Sequence, residues 1–205
     1  MARKYLEAAM KPFSEASEEN KQPILEILKR YLMDSKAVLE IGSGTGQHAI
    51  FFAQQFAHLN WYATDRADHL PGIQLWLAEH PADNLHGPFE LDVNQTNWPV
   101  TDVDTVFSAN TTHIMHWPDV ESMFHGVSRL LPTKGLFCLY GPFNYQGQHT
   151  SESNARFDQF LRQRDPESGL RDMDDLVPLA EQSQLQLLAD HTMPVNNRFL
   201  IWQKQ

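Results

Sequence analysis

Val38-Leu39-Glu40-Ile41-Gly42-Ser43-Gly44-Thr45-Gly46 is the stretch that decides the fold. An apolar, strand-like run leads into glycines at alternate positions, and a helical pattern begins directly after them at Gln47. Because Gly42 and Gly44 have no Cβ, the backbone can turn sharply and let a ligand lie against bare peptide, while Gly46 lets the helix begin close to the strand. The amides at the helix N-terminus point back at the loop. The stretch therefore predicts a nucleotide-type cofactor loop.

The spacing of the glycines indicates which cofactor the loop takes. Dinucleotide folds prefer Gly-x-Gly-x-x-Gly, which leaves room for a pyrophosphate. Here Glu40 precedes three glycines in strict alternation, and Glu-x-Gly-x-Gly-x-Gly resembles motif I of the class I S-adenosylmethionine (SAM) methyltransferases. SAM carries a sulfonium cation and no phosphate, and a cationic ligand fits an acidic strand end better than a phosphate would, because Glu40 would repel an anion. A glycine turn without a ligand is the alternative interpretation.

Two further carboxylates lie where the resemblance places the rest of the cofactor. The run Asn60–Asp65 predicts a short strand whose last residue, Asp65, follows the loop by about 20 residues, where such folds bind ribose hydroxyls. The run Gly87–Val93 predicts a third strand with Asp92 at its end. By the same resemblance, Asp92 would accept a hydrogen bond from the adenine amine. The alternatives are ordinary turns at both aspartates.

Length and composition indicate one enzyme domain. The chain has 205 residues, of which 41% are hydrophobic, and it contains no run near the roughly 20 apolar residues of a membrane span. With 26 acidic and 16 basic residues its net charge is -10, so binding to nucleic acid or to an anionic membrane is not expected. A lone cysteine, Cys138, cannot form an internal disulfide, and Met1–Leu6 is not followed by the apolar core of a signal peptide. We expect a cytoplasmic location.

Strand and helix patterns alternate along the chain, which predicts a parallel sheet with helices on both faces. Helical spacing is found at residues 23–32, 47–56, 70–80, 119–131, 153–164 and 174–184. Strand patterns after the first three lie at residues 103–110, 135–140, 185–190 and 198–203. The last two resemble the closing hairpin of methyltransferases. The expected fold is thus an α/β, Rossmann-like, doubly wound sheet of seven strands, mostly parallel with an antiparallel C-terminal strand.

Four motifs narrow the resemblance to the methyltransferase-like family known as domain of unknown function 938. They are Asn20–Leu25, Leu39–His48, Asn110–Ile114 and Gly141–Phe143. The resemblance covers nearly the whole chain and supplies no substrate. One departure is that this family tends to have proline before the tryptophan that follows the fourth strand, whereas this chain has His116. We expect one class I methyltransferase domain over residues 1–205, with an N-terminal helical cap at 1–34 and a substrate-side insert at 141–172.

Candidate site residues follow from the carboxyl edge of the predicted sheet, where open α/β folds bind ligands. The predicted cofactor contacts are Glu40, Gly42, Ser43, Gly44, Gly46, His48, Asp65, Arg66, Asp92, Val93 and Asn110. The candidate catalytic residues are His113, Tyr140 and His149. His113 or His149 would act as general base and Tyr140 would orient the acceptor. Structural histidines and a polar edge loop are the alternatives. His113 and His116 without an acidic or cysteine partner fall short of a metal site, so no metal is expected.

The leading hypothesis is therefore a SAM-dependent methyltransferase that transfers a methyl group to a small molecule by direct displacement. A non-catalytic protein that binds or senses SAM is the second hypothesis, and a nicotinamide-dependent oxidoreductase is the third. The segment around Tyr5, Phe13 and Asn20 is a candidate lid over the cofactor. The chain is expected to be a monomer or a homodimer.

Overall fold

The protein, seen in a computed structural model that describes residues 11–205, alternates strands and helices. The strands are β1 Ala37–Ile41, β2 Asn60–Asp65, β3 Leu85–Glu90, β4 Thr105–Ala109, β5 Leu136–Gly141, β6 Phe143–Asn144, β7 Arg171–Asp172, β8 Leu185–Thr192 and β9 Arg198–Lys204. The helices are α1 Glu15–Tyr31, α2 Gln47–Gln55, α3 Leu70–Glu79, α4 Trp117–Leu130, α5 Glu152–Arg164 and α6 Met173–Gln182. Over this described range, none of the helices has the length and apolarity needed to cross a membrane.

The seven long strands form one sheet in the order β3-β2-β1-β4-β5-β9-β8. Every neighbouring pair from β3 to β5 is parallel, and β9 runs antiparallel to both β5 and β8. This arrangement confirms the predicted fold. The strand order reverses between β1 and β4, and such a switch point leaves a crevice at the carboxyl ends of the strands. The short strands β6 and β7 pair with each other in a separate small sheet.

Two hydrophobic cores lie on opposite faces of the sheet. Helices α1, α2 and α3 cover one face, where the rings of Phe52 and Trp61 lie 5.3 Å apart. Helices α4 and α6 cover the other face, where the rings of Phe124 and Trp202 lie 5.9 Å apart. All five residues of β1 are buried. A parallel strand covered on both faces needs apolar residues at nearly every position, which accounts for the continuous apolar character of the central strands.

The first helix is longer than its apolar spacing predicts. Helix α1 begins at Glu15 because the Ser14 hydroxyl accepts a hydrogen bond from the Ser17 amide at 3.1 Å and caps the N-terminus. Pro23 therefore lies in the helix interior and not in the first turn. Since proline has no N–H, the Glu19 carbonyl lacks its usual helical partner there. The Tyr5 part of the expected lid and the first ten residues of the expected cap lie outside the described residues.

The third strand ends earlier than expected. Strand β3 stops at Glu90, two residues before Asp92. The Asp92 carboxylate accepts a hydrogen bond from the Asn94 amide at 2.9 Å, so the chain leaves the sheet in a local turn of the kind aspartate favours.

We expect Gly126→Ala to destabilise the protein, because α4 has no room for a methyl group at this position. A Cβ at Gly126 would lie 2.1 Å from Cζ2 of Trp98. Overpacking of this kind costs about 1 to 3 kcal/mol of unfolding free energy, which outweighs the gain of about 1 kcal/mol in helix propensity. Urea denaturation measures the difference. His125→Ala is the control, because His125 is the exposed neighbour of Gly126 and its substitution should change the unfolding free energy little. A Gly126→Ala variant as stable as the parent would contradict this packing.

Candidate functional site

A cleft of about 800 Å³ opens at the carboxyl edge of the sheet, at the switch point between β1 and β4. The glycine loop forms part of its wall, together with the ends of β2 and β4, one side of α1 and the connection between β8 and β9. The predicted site residues that line the cleft are Gly42, Ser43, Gly44, His48, Asp65, Arg66, Asp92, Val93, Asn110, His113 and Tyr140. Glu40, Gly46 and His149 are not among its lining residues.

The glycine loop turns through three left-handed residues. The φ angles of Gly42, Gly44 and Gly46 are +74°, +61° and +88°, values that residues with a Cβ rarely adopt. The amides of Gly42 and Ser43 both donate to the Thr64 carbonyl, at 3.1 and 2.9 Å, which ties the loop to β2. A Cβ placed on Gly44 would meet no atom within 4 Å. The backbone at Gly44 therefore faces open space in the cleft.

At the other two glycines the space that a Cβ would need is occupied by protein. A Cβ on Gly42 would lie 2.6 Å from Cγ2 of Thr111, so the loop after β4 occupies that space. A Cβ on Gly46 would lie 3.2 Å from Cγ2 of Ile73, so α3 occupies the space there. Gly42 lines the cleft and Gly46 does not. Of the three glycines, Gly44 alone presents unobstructed main chain.

Asp65 holds the loop in place from the end of β2. Its buried carboxylate accepts a hydrogen bond from the Gly44 amide at 2.7 Å and another from the Arg66 amide at 2.8 Å. The ring of His69 lies 3.1 Å away on its exposed side. A carboxylate has about four acceptor positions, so Asp65 retains acceptor capacity toward the cleft.

Glu40 does not reach the cleft. Side chains alternate along a strand, and Glu40 lies on the same face as Val38, within the core beneath α1 and α2. Its carboxyl group accepts a hydrogen bond from the Trp61 indole at 2.9 Å. Complete burial raises the pKa of Glu40 to about 7. The expected direct contact with a cofactor is therefore replaced by support of the strand that carries the glycine loop.

His48 and Tyr140 meet beside Asn20 on one wall of the cleft. The ring of His48 lies in the first turn of α2, and its Nε2 is 2.6 Å from the Asn20 side-chain oxygen. Burial lowers the pKa of His48 to about 4. The amides of Asn20 and Asn197 flank the Tyr140 hydroxyl, and burial raises the pKa of Tyr140 to about 12. Both groups are thus uncharged at neutral pH, and Asn20 ties α1 to this wall of the cleft.

The loop after β4 brings Asn110 and His113 to the cleft. Asn110 has a φ of +59°, and its amide donates to the Tyr140 carbonyl at 2.9 Å. His113 is buried against the Phe157 ring, with the two ring centres 5.3 Å apart. Its Nδ1 has no hydrogen-bond partner among residues 11–205. Burial, reinforced by the positive charge of Arg171, lowers the pKa of His113 to about 4, so the imidazole is neutral.

Arg171 clamps this loop from behind. Its buried guanidinium donates to the carbonyls of Thr112 and Glu167, both at 3.0 Å, and to the carbonyl of Met115. The bonds to Thr112 and Met115 fix the segment that carries His113, and the bond to Glu167 ties this segment to the turn after α5. Arg171 itself does not line the cleft. Periodicity gave no signal for this role, because the carbonyls of Thr112 and Met115 are distant in sequence from the arginine.

His149 lies away from the cleft. The chain after β5 pairs with β7 through Phe143 and Asn144, which carries the following loop to a different surface. There Nδ1 of His149 is 2.9 Å from the Asn144 side-chain oxygen, and Nε2 is 3.9 Å from Asp158. Of the three candidate catalytic residues, His113 and Tyr140 therefore line the cleft with the glycine loop, and His149 does not.

His116 lies at the mouth of the cleft and pairs with Asp165 at 2.7 Å. This hydrogen bond raises the pKa of His116. Within the described part of the chain, histidine, cysteine and acidic side chains form no cluster of three that could hold a metal ion. Sequence reasoning did not identify Asn154 or Val195 as cleft residues, because each reaches the cleft only through tertiary folding.

Residues 11–204 match the family described as "Protein of unknown function (DUF938)". The chain belongs to this family. It is also similar in fold to an O-methyltransferase family protein from Burkholderia thailandensis, at 13% identity and a TM-score of 0.80, over 93% of this chain and 57% of that one. Human N-acetylserotonin methyltransferase, solved in complex with SAM, matches at 11% identity and a TM-score of 0.77, over 93% and 53%. The chain thus spans little more than half the length of these proteins, and at such identities the likeness establishes the methyltransferase fold.

Glu40 should make stability depend on pH in a way that Glu40→Gln removes. The carboxyl has a folded pKa of about 7 and an ordinary value of 4.5, so the folded state binds a proton that the unfolded state has lost between these values. Its contribution to stability therefore falls as pH rises from about 4.5 to 7, by up to about 3 kcal/mol. We expect Glu40→Gln to gain stability relative to the parent over this interval and to keep the gain above it.

Urea denaturation at a series of pH values measures this difference. Glu26→Gln is the matched control, because it makes the same chemical change at an exposed position of α1. A flat difference for Glu40→Gln would show that this carboxyl titrates normally.

Proposed function

We propose that the protein is a SAM-dependent methyltransferase that acts on a small-molecule acceptor by direct displacement. The observation that carries this proposal is the open backbone at Gly44, held by the Asp65 carboxylate at the switch point of the sheet. The methyltransferase fold supports it.

The residues of the cleft fit SAM. Gly44 offers main chain against which a ligand can lie, and a side chain there would fill the space. Asp65 would accept hydrogen bonds from the ribose hydroxyls, with Asp92 and Val93 beside the adenine. Asn110 would receive the ammonium of the methionine portion through its amide oxygen. Carboxylates near a cationic cofactor also lower its electrostatic energy.

Methyl transfer needs little covalent catalysis from the protein. Bound SAM supplies a methyl group activated by the positive sulfur, and the electron pair of the broken carbon–sulfur bond stays on sulfur. The cleft aligns the acceptor and excludes water. Neutral His113 can take the proton that an acceptor hydroxyl loses. Tyr140, whose pKa of about 12 keeps it protonated, can donate a hydrogen bond that orients the acceptor.

Calorimetric titration with S-adenosylhomocysteine tests the cofactor assignment. We expect the parent protein to bind this product and not NAD. Asp65→Ala should weaken binding by about 1 to 3 kcal/mol, because ribose loses its acceptor and the Gly44 amide loses its partner. Asp68→Ala is the control, since Asp68 is exposed on the same turn and is not a cleft residue. Equal affinities for the parent and Asp65→Ala would place the ribose elsewhere; preferential NAD binding would overturn the proposed function.

A further inference from the structure

The two halves of the cleft differ in charge. The half beside β2 contains the carboxylates of Asp65 and Asp92 and the guanidinium of Arg66, the sole Lys or Arg side chain lining the cleft within residues 11–205. The half beside β5, here called the acceptor half, is lined by His113, Tyr140, Asn154, Phe157, Val195 and Asn197. Strands β1 and β4 separate β2 from β5 in the sheet, so Arg66 is remote from the acceptor half.

The acceptor half contains polar groups without formal charge. His113 and Tyr140 are neutral for the reasons given above, and the other polar members are the amides of Asn154 and Asn197. The charged groups near it are Asp165, which pairs with His116 at the mouth, the exposed Glu19 on α1, and Arg171, which lies behind His113 and does not line the cleft. None of them belongs to the acceptor half itself, and the Arg171 guanidinium is bonded to three carbonyls. A charged group bound here would therefore lose water without a counter-ion in direct contact, which is costly.

Val195 covers this half in a strained conformation. Its φ is +58°, a left-handed value that is unfavourable for a β-branched residue. Its side chain is nevertheless 74% exposed and borders the cleft. The adjoining Asn196 is fastened on both sides: its carbonyl accepts from the Asn154 amide at 3.0 Å, and its own amide donates to the Ser153 hydroxyl at 3.1 Å.

An exposed apolar side chain on a strained backbone is not stabilised by burial within the protein. Asparagine or glycine would adopt the same backbone at lower cost, and a polar side chain would be better solvated. The conformation becomes favourable when the valine methyl groups cover apolar surface of a bound molecule. The left-handed backbone of Val195 and the lack of charged side chains in the acceptor half therefore point to the same kind of ligand.

We propose that the acceptor half binds an uncharged molecule with an apolar body and a hydroxyl group, and that Val195 contacts the apolar body. This inference rests on the proposed function, and it adds the class of substrate. The hydroxyl would pair with the neutral polar groups at the base of this half. A free amine, which is protonated at neutral pH, and a carboxylate or phosphate would be disfavoured because neither finds an opposite charge there.

Three phenols that share one ring and differ in charge test the substrate class. Tyrosol is neutral, tyramine is a cation and para-hydroxyphenylacetate is an anion. Each is titrated by calorimetry into protein saturated with S-adenosylhomocysteine. We expect tyrosol to bind about tenfold or more tightly than either charged analogue, in line with the cost of burying an unpaired charge. The inference is overturned if a charged analogue binds as tightly as tyrosol, or if none of the three binds to the saturated protein. Failure to saturate the protein with S-adenosylhomocysteine at all would instead contradict the proposed function.

The variant Val195→Asn tests the contact between Val195 and the ligand separately from the stability of the fold. Asparagine tolerates the left-handed backbone better than valine, so the variant should unfold at the same temperature as the parent or a higher one. It should nevertheless bind tyrosol about fivefold or more weakly, since apolar contact is lost, with unchanged affinity for S-adenosylhomocysteine. Leu188→Asn is the matched control: Leu188 is 47% exposed on β8 and is not a cleft residue, and its substitution should leave both affinities unchanged. Unaltered tyrosol affinity in Val195→Asn would show that Val195 does not contact the ligand.

Discussion

The hydrogen bond between the Gly44 amide and the Asp65 carboxylate is the interaction on which the site depends. It joins the loop after β1 to the end of β2, next to the switch point, and holds a loop of left-handed residues open toward the cleft. The buried carboxylate is stabilised by the amides that it orders, since a charge removed from water needs such donors. A methyltransferase fold can thus present bare main chain to a ligand without leaving a mobile glycine loop.

Support for this arrangement comes from groups that do not touch the cleft. Glu40 anchors β1 to Trp61 in the core, Thr111 fills the space beside Gly42, and Arg171 fixes the loop that carries His113. Each of these contacts joins segments that are far apart along the chain. The cleft is therefore shaped by the packing of several connections, which explains why its two halves can differ in charge although one sheet edge supports both.

Secondary structure and topology were largely predictable, because the central strands are buried on both faces and their apolar runs are unmistakable. Strand β2 has the predicted bounds, Asn60–Asp65. The differences arise where a local polar contact decides the boundary. The Ser14 cap extends α1 through Pro23, and the turn at Asp92 ends β3 early. Periodicity does not detect such contacts, since they depend on one side chain and one amide.

The sequence by itself determined that the alternating glycines and the aspartate at the end of the next strand meet at one edge of the sheet, because strand order alone brings them together. Only the tertiary structure decided which of these groups face the cleft. It buried Glu40 in the core, carried His149 to another surface, and brought Val195 over the acceptor half. The physical reason is that parallel strands bring their ends to one edge whatever the loops do, whereas the direction of each loop side chain is set by long-range packing that leaves no periodic trace in the sequence.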